Sequence, residues 1–264
     1  MIELPKEITK STRINPKTMV LFSQPKTGKT TIVAALKDCL TIDLEEGSDF
    51  VDALKFDVVK EAKKAEKLPI VVLKELINAI KEANNEKGDY VYKFIAIDTV
   101  TALEDIVLPL ANKMYKDTPM GRNWDGVDVT TLANGAGYRY TRNALSTVLN
   151  ELEDICDTLV ILGHTKDKDV EKGGELITER SLDLTGKSSS ILCSQVDTIG
   201  YVYRDENETV IDFKPSQSII IGSRSDHLKD KKASVISMVK FLFYSIPSIP
   251  TQCALRVLAP HFQF

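Results

Sequence analysis

The residues with the clearest chemical potential lie near the start of the chain. The run SQPKTGKT, Ser23 to Thr30, matches the phosphate-binding spacing G-x-x-x-x-G-K-[ST], except that Ser23 replaces the first glycine. In this motif the backbone curls so that successive N–H groups point at phosphate oxygens. Gly28 would permit close approach, Lys29 would reach the β- and γ-phosphates, and Thr30 would ligate Mg²⁺. The residues expected around the phosphates are Ser23, Gln24, Pro25, Lys26, Thr27, Gly28, Lys29, Thr30 and Thr31.

A second carboxylate is needed at the end of a neighbouring strand to complete a Mg²⁺ site. The run FIAID, 94–98, supplies one, since four apolar residues precede Asp98. Ligands of open α/β sheets bind at the carboxyl ends of the strands, so Asp98 joins Thr30 as a predicted metal ligand. The alternative role for Asp98 is the N-cap of a helix over 101–108, which Pro109 would end, and the two roles are compatible.

Hydrolysis also needs a group that orients and deprotonates the attacking water. The segment IDLEEG, 42–47, follows another apolar run and contains Asp43, Glu45 and Glu46. Alternation along an extended segment would place Asp43 and Glu45 on the same side. Glu45 is the predicted base and Glu46 the reserve. The alternative is a solvated acidic turn.

The elements that must position these residues have the rhythm of a parallel sheet covered by helices. Strands are predicted over 19–22, 40–43, 94–98 and 159–163, and helices over 30–37, 69–84 and 139–155. After Gly186, two strands over 198–203 and 209–213 predict an antiparallel hairpin, with a further edge strand at 218–221. The predicted fold class is therefore α/β, a mainly parallel sheet flanked by helices with an antiparallel C-terminal hairpin.

Composition limits the possible partners and compartment. A chain of 264 residues suits one large α/β domain, with or without a modest appendage. A formal charge of −4 argues against a uniformly basic surface for duplex DNA, although it allows a local basic groove. The four cysteines form no zinc or disulfide spacing and are expected to be buried thiols. With no apolar run of roughly 18 residues and no signal-peptide core, the expected location is cytoplasmic, without a membrane partner.

Together, the segments 19–31, 39–47 and 94–103 resemble the ATPase core of RecA-type recombinases. They are most similar to the small phage-encoded RecA-like ATPases of single-strand annealing and recombination. The resemblance implies a RecA-like P-loop NTPase core with ATP and Mg²⁺ as cofactors. It also implies Glu45 and Lys29 as catalytic residues and His164, at the end of the run 157–163, as γ-phosphate sensor. Recombinases commonly carry glutamine there, so a satisfied strand-end histidine is the alternative.

The resemblance further implies single-stranded DNA as a partner, bound by two mobile loops at about 115–140 and 166–190. In the first loop, Arg122, Trp124 and the run GYRYTR at 137–142 interleave basic and aromatic residues, which suits base stacking, although inward packing of the tyrosines is the alternative. The second loop has five basic residues against six acids, so its charge does not favour DNA.

A homo-oligomer is expected, because such folds often place ATP between subunits. Lys166 or Arg224 of a neighbouring copy would then complete the site. A single-strand-binding or replication protein is a further expected partner.

The predicted protein is thus an ATPase that supports annealing or strand exchange in recombination or replication. The predicted domains are a RecA-like ATPase domain, 1–225, and an extension, 226–264. Two alternatives stay open: a P-loop phosphotransferase, in which Asp43 and Glu45 bind an acceptor hydroxyl, and a non-catalytic nucleotide-gated module such as a helicase-loading partner. The apolar segment 241–264, whose only charged residue is Arg256, has no assigned role.

Overall fold

The computed structural model describes residues 4, 8, 10–47, 49–206 and 208–234. The strands are β1 Thr18–Ser23, β2 Cys39–Asp43, β3 Lys55–Asp57, β4 Phe94–Asp98, β5 Thr158–Lys172, β6 Glu175–Leu182, β7 Thr198–Asp205, β8 Glu208–Asp212, β9 Gly222–Ser223 and β10 Lys232–Ser234. The α-helices are α1 Lys29–Ala34, α2 Val58–Ala65, α3 Pro69–Lys87, α4 Val100–Ile106, α5 Leu108–Lys116, α6 Gly137–Glu153 and α7 Ser188–Gln195.

One sheet organises these elements, in the strand order β10-β8-β7-β1-β5-β4-β2-β3. The six strands from β7 to β3 are parallel, whereas β8 is antiparallel to β7 and β10 is antiparallel to β8. The predicted fold class, α/β with a mainly parallel sheet flanked by helices and an antiparallel C-terminal hairpin, is confirmed. The order also places β1 centrally, with β5, β4 and β2 on one side and β7 and β8 on the other.

Both faces of the sheet are covered, which explains the short, continuous apolar runs of its strands. Because side chains alternate along a strand, Val20 and Phe22 of β1 pack into one buried cluster with α2, α3, α4 and α6. Met19 and Leu21 pack into a second cluster with α1 on the opposite face. The strand ends that carry polar residues are therefore held rigidly from both sides.

Several element predictions need correction. Pro109 does not end a helix: it occupies the first turn of α5, where a missing N–H costs nothing, and α4 ends at Ile106. The predicted edge strand over 218–221 is wrong, because that segment forms only one isolated bridge, between Arg180 and Ile219. The elements β3 and α2 were not predicted. Strand β3 leaves no clear pattern in the sequence, because it has only three residues and none of them is buried.

The predicted mobile loop at 166–190 is also wrong. Strand β5 continues beyond the sheet to Lys172 and pairs with β6 over eight residue pairs, and α7 follows. Gly173 and Gly174, both with positive φ, form the two-residue turn that such hairpins favour. Arg180 forms an ion pair with Asp167 directly opposite it, which stabilises the base of this hairpin.

The C-terminal part of the described chain returns to the sheet. The predicted hairpin of 198–203 and 209–213 is confirmed as β7 and β8, and β10 adds a short edge strand beside β8. The segment 241–264 lies outside the described residues, and the division at residue 225 stays a prediction. Within the described ranges, no helix has both the length and the apolar character needed to cross a bilayer.

Candidate functional site

The loop between β1 and α1, called the P-loop below, curls tightly at the carboxyl edge of the sheet. Two of its residues, Lys26 at φ 63° and Gly28 at φ 97°, adopt the left-handed conformation that turns the chain back on itself. Ser23 does not need that conformation, because it is the last residue of β1 and pairs with His164 on one side and Val202 on the other. The position where the motif usually has glycine therefore tolerates a side chain here.

Lys29 places its ammonium inside this loop. The residue is only 7% exposed, and its Nζ donates to Ser23 Oγ at 2.9 Å and to the Gln24 carbonyl at 3.4 Å. Burial lowers the pKa of Lys29, while Asp98 and Glu45 act in the opposite direction. None of the described carboxylates forms an ion pair with Lys29. A buried ammonium with only neutral hydrogen-bond partners suits an anion such as a phosphate.

Thr30 and Asp98 meet at the mouth of the loop. Thr30 Oγ1 donates to Asp98 Oδ2 at 2.6 Å, and Asp98 lies beside Asp43 at the ends of adjacent strands. Burial is the main cause that raises the pKa of Asp98, and Asp43 and Glu45 add to it, whereas the Thr30 bond opposes it. Three carboxylates with one ammonium leave an excess of negative charge that a divalent cation would offset.

The residues present fit Mg²⁺ of the kind that nucleotides carry. In the described part of the chain, no group of three or more His, Cys, Asp or Glu residues is arranged to hold a metal by itself. A cation at Thr30 and Asp98 would therefore take its other ligands from water and phosphate oxygens, which is the usual pattern for Mg²⁺.

Glu45 lies where the carboxyl ends of β2 and β4 meet β5. Its carboxylate accepts a hydrogen bond from the Thr99 hydroxyl, and His164 Nε2 is 3.3 Å from each of its two oxygens. Its backbone N–H donates to Asp43 Oδ1 at 2.9 Å, which fixes the turn after β2. The side chain is 36% exposed, so water can reach the carboxylate while its orientation stays fixed.

Glu46, the predicted reserve, is directed elsewhere. Its carboxylate pairs with Lys63 on α2, and its side chain is 45% exposed. The predicted strand-end residues Glu45, Asp98 and His164 thus come together with the P-loop, whereas Glu46 is tied to α2.

Two threonines of the segment DTVTAL were not assigned a role from the sequence. Thr99 holds Glu45 and also accepts a hydrogen bond from the Ala102 amide at the start of α4. Thr101 accepts from the His164 amide at 3.3 Å and donates to the Asp183 carbonyl at 3.2 Å. Their two-residue spacing behind a strand-end acid is the signal that could have identified them.

The predicted DNA-binding segment at 115–140 is partly packed. Tyr115 makes edge-on ring contacts with Trp124 and Tyr140, at centroid distances of 5.2 and 5.1 Å. Tyr140 therefore packs inward, as the alternative interpretation held. Tyr138 is 41% exposed, and the exposed Arg122 belongs to the same segment.

The two candidate residues for a neighbouring site differ in availability. Arg224 donates to the Ser194 carbonyl at 2.9 Å and contacts Asp197 just before β7, at the edge of the sheet opposite the P-loop. Lys166 lies on the β5–β6 hairpin, half exposed, 3.5 Å from Asp183. Of the two, only Lys166 is at the same edge as the P-loop.

One comparison with known proteins identifies the family of this chain. The AAA domain family matches residues 15–225, a range that includes the P-loop, Glu45, Asp98 and His164. No curated protein matches the chain. A KaiC-like protein of the hyperthermophilic archaeon Pyrococcus horikoshii is similar, at 14% identity and a TM-score of 0.39, over 82% of this chain and 84% of that one. On the family match, the chain belongs to the AAA domain family and carries its P-loop nucleotide-binding architecture.

Proposed function

We propose that the chain is a Mg²⁺-dependent ATPase of the phage RecA-like type that acts on single-stranded DNA in recombination or replication, in support of annealing or strand exchange. The observation that carries the ATPase part is one cluster at the carboxyl edge of the sheet. It combines the buried Lys29 ammonium, the Thr30–Asp98 pair and a Glu45 carboxylate held by Thr99. These are the groups that phosphoryl transfer to water requires.

Each group has a separate task in hydrolysis. Lys29 offsets the negative charge of the phosphates, and Thr30 and Asp98 hold the cation. Glu45 accepts the proton of the water whose oxygen attacks the γ-phosphorus, as the bond to the β-phosphate oxygen breaks and ADP leaves. Mg²⁺, when bound, neutralises charge that builds on the phosphate oxygens. His164 contacts Glu45, so the loss of the γ-phosphate beside Glu45 would change the surroundings of the His164 ring.

The orientation and solvent exposure of the Glu45 carboxylate favour hydrolysis over the two alternatives. A purely nucleotide-gated module would not need a carboxylate that is both oriented by a hydroxyl and open to water. A phosphotransferase would use the same carboxylate to bind an acceptor hydroxyl. Radiolabelled γ-phosphate separates these alternatives: hydrolysis releases free phosphate, a kinase labels a second molecule, and a gated module produces neither.

The DNA and assembly parts of the proposal rest on exposed groups at this edge and on the resemblance to recombinases. Arg122, Tyr138 and Arg139 are exposed, and they offer phosphate contacts and one ring for base stacking. Lys166, on the hairpin beside His164, would complete the site of a neighbouring copy in a homo-oligomer. A single-strand-binding or replication protein is the further proposed partner.

The test is the ATPase rate with and without single-stranded DNA at low ionic strength. We expect single-stranded oligonucleotide to raise the rate several-fold and duplex DNA of equal length to have little effect. A double variant, Arg122→Ala with Arg139→Ala, should keep the basal rate and lose the stimulation. If DNA neither binds nor stimulates, the DNA part is overturned and the ATPase part stands. If the wild-type chain turns over no nucleotide, the ATPase part is overturned.

A further inference from the structure

A residue of β8 contacts the P-loop on the side away from Glu45. Thr209, at the start of β8, places its Oγ1 3.5 Å from the Thr27 carbonyl oxygen. A methyl group added to Gly28 would lie 3.5 Å from the same hydroxyl. The paired strands β7 and β8 therefore reach the phosphate loop itself.

Arg204 is the residue that this contact holds in place. It is the direct cross-strand partner of Thr209, and its Nη1 donates to Thr209 Oγ1 at 3.0 Å. Val202, two residues earlier, is buried against the α1 face, so Arg204 leaves the sheet on that face beside the loop. The residue is exposed, and none of the carboxylates that the structure describes pairs with it; its neighbour Asp205 pairs with Lys232 instead.

The strand order shows which part of a nucleotide would meet Arg204. Glu45 follows β2, Asp98 ends β4 and His164 lies within β5, all on the β5 side of β1, and they define the γ-phosphate end. Arg204 and Thr209 belong to β7 and β8, on the other side of β1. A nucleotide with its γ-phosphate at Glu45 extends its ribose and base away from that carboxylate, and the β7–β8 side of the loop lies opposite to Glu45.

We propose that Arg204 binds the base of the nucleotide, with its guanidinium plane stacked on the ring and its position fixed by Thr209. A planar, delocalised cation stacks on aromatic rings in a way that the compact ammonium of lysine does not. This inference rests on the proposed nucleotide-binding function and adds the residue that distinguishes a nucleotide from a bare polyphosphate.

The test compares three variants of the full chain by calorimetry with Mg²⁺-ATP and with Mg²⁺-tripolyphosphate, which has the phosphates but no base. Arg204→Ala should weaken ATP binding about tenfold, within the range found for base stacking on side chains, and leave tripolyphosphate binding unchanged. Arg204→Lys keeps the charge but should show the same selective loss. Arg13→Ala, at the opposite edge of the sheet, should change neither affinity.

Two results would overturn the assignment of Arg204. Equal weakening of ATP and tripolyphosphate by Arg204→Ala would show that the arginine serves the phosphates. Unchanged ATP affinity would show that it serves neither. A wild-type chain that binds neither ligand would instead remove the proposed function on which the assignment rests, so the two failures are distinguishable.

Discussion

Glu45 and Glu46 are adjacent glutamates with different surroundings, and the same substitution at each tests the assigned base. Glu45→Gln preserves the size of the side chain and an oxygen that can accept from Thr99, but it removes the group that takes the proton. General-base catalysis typically contributes about 10²–10⁴-fold. We therefore expect kcat to fall by about that factor, equivalent to about 3–5 kcal/mol in the activation barrier.

Glu46→Gln is the matched control. The Glu46 carboxylate pairs with Lys63 on the surface, and such pairs contribute about 0–1 kcal/mol to stability. Its loss should leave kcat within about twofold of wild type, since Glu46 makes no hydrogen bond to Thr99 or His164. The assay is steady-state phosphate release at saturating ATP.

Binding must be measured alongside turnover. Because Glu45 is assigned to the chemical step, Glu45→Gln protein should keep the rise in melting temperature that Mg²⁺-ATP gives the wild type. The reasoning is refuted if Glu46→Gln loses turnover as fully as Glu45→Gln, or if Glu45→Gln turns over normally. Loss of both binding and turnover in Glu45→Gln would assign the residue a structural role instead.

Three further predictions concern buried groups. Burial raises the pKa of Cys39 and of Cys156 to about 12, so peptide mass spectrometry should find both unmodified by iodoacetamide at pH 8 until urea is added. Because both pKa values in the folded protein lie above the ordinary 9.0, the contribution of these protonated thiols to folding stability is complete below about pH 9 and is lost as the pH rises towards 12. Urea midpoints that stay constant from pH 9 to 11 would contradict this pH dependence. Gly200→Ala should lower the free energy of unfolding by about 1–3 kcal/mol, because the new methyl would lie 2.7 Å from Phe213. Gly47→Ala, with nothing within 4 Å, should change it by less than about 0.5 kcal/mol, and equal effects in urea titrations would contradict the packing argument.

The sheet and its acidic strand ends were predictable because they follow from local pattern. Residues 94–98 are a strand with the predicted bounds, since a strand covered on both faces is apolar until it reaches the edge. The acid at that edge was therefore visible as a break in the apolar run. The position of Asp98 beside Thr30 could be predicted from the general rule that parallel strands end at the same edge of a sheet.

The partners of Glu45 were not predictable, because they depend on contacts between distant segments. Thr99 and His164 lie 54 and 119 positions from Glu45 in the chain, and nothing in either local sequence indicates the pairing. The hairpin of β5 and β6 was missed for a different reason. It extends beyond the sheet with few apolar residues, so it lacks the alternation that marks a half-buried strand, although its Gly-Gly turn was a usable signal.

The length of β5 has a mechanical consequence. One uninterrupted strand runs from the centre of the sheet through His164 to Lys172, and Arg180 ties the paired strand to Tyr201 near the point where the hairpin leaves the sheet. At 3.3 Å per residue, the arm beyond His164 is roughly 26 Å long, so a tilt of roughly 5° at its root would displace its tip by roughly 2 Å. A force on the tip of the hairpin would therefore be carried along one continuous strand to His164, the residue that touches Glu45.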